Sequence, residues 1–128
     1  MWRVIQQARG FREHALLRVG SWVLLRVAGP DDVPSVRDLL ERVSPTSRRL
    51  RFFGGVGQVS PAWIEELCRP PDRDRACLLA VWGEGEAARV VGVGNYVALP
   101  GRNTAEVAFL VDDAFQGRGI GTLLLERL

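Results

Sequence analysis

Gln116-Gly117-Arg118-Gly119-Ile120-Gly121-Thr122 sets three glycines at alternate positions, with one arginine among them, at the start of an apolar-faced run. Glycine lets backbone amides approach a ligand with no Cβ in the way. The first amides of a helix have no acceptor within it, and the aligned peptide dipoles leave partial positive charge at that end. A loop of this kind opening a helix suits an anion, and several amides together suit a diphosphate. Arg118 adds a permanent cation. Spacing argues against two common phosphate loops. A P-loop needs Lys followed by Ser or Thr after its last glycine, whereas Gly121 is followed by Thr122-Leu123. A dinucleotide fingerprint needs GxGxxG and an acid about 20 residues further on; here the glycines are spaced differently and seven residues follow Gly121.

The remaining reactive side chains narrow the chemistry. His14 is the only histidine, so no His-dependent triad or His-rich metal site can be built from this chain alone. Cys68 and Cys77 stand nine apart without a CxxC pair, which suggests small buried hydrophobes, not zinc or redox chemistry. Catalysis therefore falls to a carboxylate, a hydroxyl or water, with no metal. All 17 basic residues are arginine against 15 acids, and the formal charge is +2. Residues 1–51 carry 10 Arg and 5 acids, residues 52–128 carry 7 and 10, so the halves are +5 and −3. That tilt falls short of the clustered basic face expected of a nucleic-acid partner. No apolar run approaches the roughly 20 residues of a spanning helix. The first residues lack the compact apolar core and cleavage site of a secretory signal, so a cytoplasmic address is expected.

The elements that must position the glycine loop follow from periodicity and punctuation. Residues 1–20 are expected to form an extension: a short amphipathic helix on the domain, an anionic-surface contact, or a disordered start. The domain proper runs over 21–128. A Val- and Leu-rich strand at 22–27 ends at Gly29-Pro30. A helix follows, capped by Asp31 or Asp32, with Pro34 in its first turn and Val36, Leu39, Leu40 and Val43 on one face. Pro45 stops it. After a basic, aromatic segment, Ser60-Pro61 opens a second helix that runs to about Cys68. Strands at 76–82, 90–99 and 104–111, joined by short connections, make an antiparallel meander. Gly92 and Gly94 in its middle strand mark a bulge or a close neighbour. From Gly119 the pattern is helical, with Ile120, Leu123, Leu124 and Leu128 on one side.

Gln-x-x-Gly-x-Gly between an apolar strand and an apolar-faced helix resembles the acyl-CoA signature of the GNAT superfamily of N-acetyltransferases. Residues 21–128 follow that superfamily's order of strand, two helices, three-stranded meander, glycine loop and helix. Ser44-Pro45-Thr46-Ser47-Arg48-Arg49-Leu50-Arg51-Phe52-Phe53-Gly54 and Ala105-Glu106-Val107-Ala108-Phe109-Leu110-Val111 look like the bacterial protein-lysine acetyltransferases that modify acyl-CoA synthetases. The resemblance implies an α+β fold: a mostly antiparallel sheet with flanking helices, ending after the CoA-binding helix. It implies acetyl-CoA as cosubstrate, its pantetheine arm along Phe109, Leu110 and Val111. The diphosphate would then lie on the amides of Gly117, Arg118, Gly119, Ile120, Gly121 and Thr122, beside Gln116.

The same resemblance makes Glu106 the general base. Strand alternation puts Glu106 with Ala108 and Leu110, predicting a semi-buried carboxylate whose desolvation favours proton capture. The amine it frees would attack the thioester directly. The superfamily continues with a further strand, a helix often bearing an acid tyrosine, and a last strand. Their absence predicts a truncated form with an exposed edge, covered by a homodimer or strand exchange. Tyr96, in the middle strand, does not match that acid. Two functions are expected: acetyl transfer to an amine, foremost a protein lysine such as one on an acyl-CoA synthetase, or a non-catalytic acyl-CoA-binding or interaction module.

Overall fold

The computed structural model describes residues 11–17, 20–43, 61–101 and 103–128. The basic segment at 44–60, with the cap Ser60, therefore lies outside the described residues, as do residues 1–10. Five antiparallel strands form one sheet in chain order: β1 (Arg12–Leu16), β2 (Trp22–Val27), β3 (Arg75–Trp82), β4 (Arg89–Ala98) and β5 (Ala105–Val111). Helices α1 (Val33–Arg42) and α2 (Pro61–Leu67) cover one face, and α3 (Ile120–Arg127) covers the other. Strand alternation sorts the two cores. On β3, Ala76, Leu78 and Ala80 meet Ile120, Leu124 and Leu128 of the α3 side, while Cys77 and Leu79 meet Val36, Leu39, Leu40, Ile64 and Leu67 of the helix pair. No helix among the described residues is long and apolar enough to cross a membrane.

The N-terminal extension is the first departure from expectation. Residues 12–16 are a sheet strand, not part of a helix or a detached start, in register from Arg12↔Arg26 to Leu16↔Trp22. Ala15 and Leu17 turn into the core shared with α3, and Arg127 of α3 donates from Nε to Glu13 Oε2 at 2.8 Å. The alternation of Arg-Glu-His-Ala-Leu is short, and only Ala15 within it is buried.

The start of α1 also differs. Asp32 makes no side-chain cap on α1. A 3-10 turn, Pro30–Asp32, comes first, and the Asp32 carboxylate accepts the Gly29 amide at 2.8 Å and two Arg26 nitrogens at 2.9 and 2.7 Å. Burial opposes the charge, but the Arg26 and Gly29 bonds and the Arg26 charge outweigh it, holding the Asp32 carboxyl below the usual carboxylate range. A carboxyl with a lowered folded-state value stabilises above its unfolded value and loses that contribution as pH falls through the folded value. Asp32→Ala is thus expected to cost about 2 kcal/mol near neutral pH, discounted for partial exposure of the pair. The gap between wild type and variant should narrow below about pH 4, as denaturant unfolding at several pH values will register.

Gly92 and Gly94 account for how closely α3 lies on the sheet. A Cβ on Gly92 would stand 2.8 Å from Ile120 Cγ2, and one on Gly94 would stand 3.2 Å from Leu124 Cβ. The register of β3 against β4 shifts between Ala80 and Val81, beside Gly92, so both a close neighbour and a bulge are present. Cys68 and Cys77 are buried free thiols. Burial, helped by the Asp32 charge and opposed by Arg75, pushes the Cys68 thiol up to about 11, which makes it an inert core residue.

Candidate active site

β5 carries the chain to the glycine loop. Asp112 fixes the exit: it is buried, its amide donates to the Val91 carbonyl at 2.8 Å, and its Oδ1 accepts the Ala114 amide at 2.9 Å. Its Oδ2 accepts Arg42 Nε at 3.1 Å, and the same arginine donates to the Val90 carbonyl at 2.7 Å. The last turn of α1 is thereby tied to the mouth of the loop. This pair lies 70 residues apart in sequence, and no local pattern announces it.

Beyond the turn, Gly117 (φ +78°) and Gly119 (φ +94°) take left-handed conformations that disfavour any side chain. Gly119 is the N-cap of α3 and has no side chain to close it. The Leu123 amide donates to the Gly119 carbonyl at 3.0 Å; among the described residues, nothing accepts from the amides of Ile120, Gly121 or Thr122. Gly121 has a second reason to be glycine, since a Cβ there would stand 3.2 Å from the Phe109 ring.

Strand β5 faces these amides with its outer edge. It pairs with β4 on one side only among the described residues. The Asp112 amide points to Val91, and backbone groups alternate in direction along a strand, so Leu110 points to β4 while Phe109 and Val111 present theirs outward. Consistent with this, Gln116 Nε2 donates to the Val111 carbonyl at 3.4 Å. A cavity of about 320 Å³ lies between this edge and α3. Phe109, Val111, Gln116, Gly117, Gly119, Ile120, Gly121 and Thr122 line it, joined by Phe115 and Leu125, which the sequence did not single out.

Three expected site residues are not among those lining the cavity. Leu110 is buried in the core beneath α1 and α2 and turns its backbone to β4. The Arg118 guanidinium lies over the Phe115 ring, its Cζ 4.9 Å from the centroid, and is not part of the cavity wall. Glu106 shares a face with Leu110 as alternation requires, but it is exposed, not semi-buried; its cross-strand neighbour Val97 is 44% exposed. The apolar cover expected around that carboxylate is absent because the buried part of this face begins only at Leu110. Glu106 stands three residues before Phe109, roughly 10 Å along the strand from the cavity's first residue. Tyr96 is buried on the α3 side of β4, its hydroxyl without a partner among the described residues; burial first, then the charges of Asp72 and Asp74, raise its proton affinity.

A strand edge, an open helix N-terminus and a glycine loop around one cavity are shared by many folds, so comparison with known proteins decides the family. The acetyltransferase (GNAT) family matches residues 40–128, most of the chain. The chain belongs to the GNAT acetyltransferase family. Among curated GNAT relatives, acetyltransferase PA5475 of Pseudomonas aeruginosa is 29% identical over 109 residues, covering 85% of this chain and 59% of that protein. Acetyltransferase Pat of Mycolicibacterium smegmatis is 36% identical over 115 residues, covering 88% of this chain and 33% of that one. The chain thus spans about three fifths and one third of the length of these two relatives. Among solved structures, the GNAT domain of S. lividans PAT superposes with a TM-score of 0.76 at 29% identity, covering 91% of this chain and 68% of that one. The α+β reading, an antiparallel sheet with flanking helices, is therefore the GNAT fold.

Proposed function

We propose that this GNAT chain binds acetyl-CoA in the cavity between β5 and α3 and passes its acetyl group to an amine, foremost a protein lysine. The observation that carries the reading is the set of open amides at Ile120, Gly121 and Thr122 beside the free edge of β5. The diphosphate takes the amides of the loop and α3, where the helix dipole adds to the hydrogen bonds. The pantetheine arm runs along the outward groups of Phe109 and Val111 as an added strand. An amide of that edge is placed to steady the oxyanion when the amine attacks the thioester carbonyl. The C–S bond then breaks, coenzyme A leaves as its thiolate, and the acetyl group stays on nitrogen.

Glu106 is proposed as the general base, taking the amine's proton through water. Its exposure means that this chain does not dehydrate the carboxylate by itself; the docked acceptor supplies the cover. A protein lysine, such as one on an acyl-CoA synthetase in the cytoplasm, is favoured over a small amine because relatives include an acetyltransferase named Pat and the GNAT domain of a protein named PAT.

The test is a thiol-release assay with acetyl-CoA, run with an acyl-CoA synthetase and separately with small amines, alongside calorimetry of acetyl-CoA binding. Release dependent on the synthetase is the expected result. Release only with small amines would replace the acceptor class, and binding without release under any acceptor would favour a non-catalytic acyl-CoA-binding module.

A further inference from the structure

Beside the cavity, on the side away from Glu106, four side chains from three parts of the chain converge. Trp82 ends β3, Arg89 begins β4, and Phe115 and Arg118 belong to the loop before α3. Phe115 is buried and lines the cavity. Its ring centroid is 5.4 Å from that of Trp82, with the planes at 60°. The guanidinium carbon of Arg118 is 4.9 Å from the Phe115 centroid and that of Arg89 is 5.4 Å from it, which keeps the two cations within about 10 Å of each other. Arg89 also lies 5.6 Å from the Trp82 ring centroid.

Two features of this cluster exceed what packing requires. Neither arginine has an acidic partner among the described residues, so two like charges are gathered on one aromatic patch without compensation. Trp82, in addition, is left 37% exposed beside them. Aromatic faces hold guanidinium groups flat and leave their N–H edges free to donate, which is the geometry in which arginine grips a phosphate. An exposed indole beside such a group offers a stacking surface for a purine.

We infer that Trp82, Arg89, Phe115 and Arg118 form a subsite for the nucleotide end of the cosubstrate, the two arginines holding a ribose 3′-phosphate and Trp82 stacking on the adenine. This rests on the acetyl-CoA reading above. With the thioester arm along β5 and the diphosphate on the α3 amides, the nucleotide leaves the cavity at the Phe115 end of the loop, where the cations stand. The subsite makes the chain select acyl-CoA over thioesters that lack the 3′-phosphate, including acyl groups carried on a protein's phosphopantetheine arm.

Calorimetry with acetyl-CoA and with acetyl-3′-dephospho-CoA decides the matter, using the wild-type chain and the Arg89→Gln, Arg89→Lys and Arg118→Gln variants. Wild type is expected to bind acetyl-CoA about tenfold or more tightly than the dephospho compound, the scale of charge-assisted contacts to one phosphate. Arg89→Gln should remove most of that preference while leaving dephospho binding unchanged; Arg89→Lys should restore part of it, and Arg118→Gln should reduce it. Equal binding of the two compounds by wild type would overturn the subsite while leaving the acetyl-CoA reading intact. Equal weakening of both compounds in Arg89→Gln would likewise overturn it, because a general loss does not report on the 3′-phosphate. Binding of neither compound by wild type would instead remove the acetyl-CoA reading and the subsite with it.

Discussion

Glu106→Gln, placed in the protein that carries this chain, is expected to lower turnover by about 10²-fold, the scale of lost general-base catalysis. Affinity for acetyl-CoA should be unaffected. The separation follows from position: Glu106 is not part of the cavity wall, and the face of β5 that bears it is the one opposite α3. Gln keeps the size and hydrogen-bonding reach of the side chain and removes only its ability to take a proton, so folding should be preserved. Steady-state thiol release at saturating acetyl-CoA, set beside the calorimetric Kd, separates the two effects. Undiminished turnover would remove Glu106 from the chemistry, and weakened cosubstrate binding would mean that the residue touches acetyl-CoA instead.

Gly119→Val should act in the opposite sense, weakening acetyl-CoA binding by about 10- to 100-fold, the loss of one or two charge-assisted hydrogen bonds. Two causes add. The N-cap of α3 sits at φ +94°, a region in which a β-branched residue is strained, and its side chain would enter the space given to the diphosphate. Because strain alone lowers stability, the variant's unfolding must be followed with its binding. Ordinary affinity in a folded Gly119→Val chain would reject the proposed cradle.

The sequence and the structure agree best where local chemistry dictates shape. The strand at 22–27 was legible to the residue because its Val- and Leu-rich run is bounded by Gly29-Pro30. The meander was legible because its turns are short, and α3 because its apolar residues repeat at helical spacing. The glycine loop was readable because φ values near +80 to +94° leave few alternatives to glycine at 117 and 119. What escaped notice depends on contacts between distant segments. Residues 12–16 become a strand only because β2 offers them an edge, and their own alternation of five residues is too brief to declare it. The Asp32 carboxylate looks like a helix cap until Arg26, six residues upstream and across a turn, claims it.

The candidate site divides along the same line. Its backbone cradle follows from glycine positions, whereas Phe115, Leu125 and the Arg42–Asp112 tie require the packing of α1 and α3 around β5. The expected burial of Glu106 failed for a related reason. Alternation tells which face a residue is on, but the extent of α1 and α2 decides how much of that face is covered, and Leu110 rather than Glu106 lies beneath them. Leu110 shows a further subtlety: it spends its own backbone groups on β4, so those of its neighbours Phe109 and Val111 turn outward, where the Val111 carbonyl accepts from Gln116 Nε2.

A crystal of the chain soaked with acetyl-CoA tests the central claim most directly. Density for the diphosphate within hydrogen-bonding distance of the amides of Ile120, Gly121 and Thr122, with the thioester arm along Phe109 and Val111, is the expected result. Density for the cosubstrate at any other place on the molecule, with those amides left open, would contradict it.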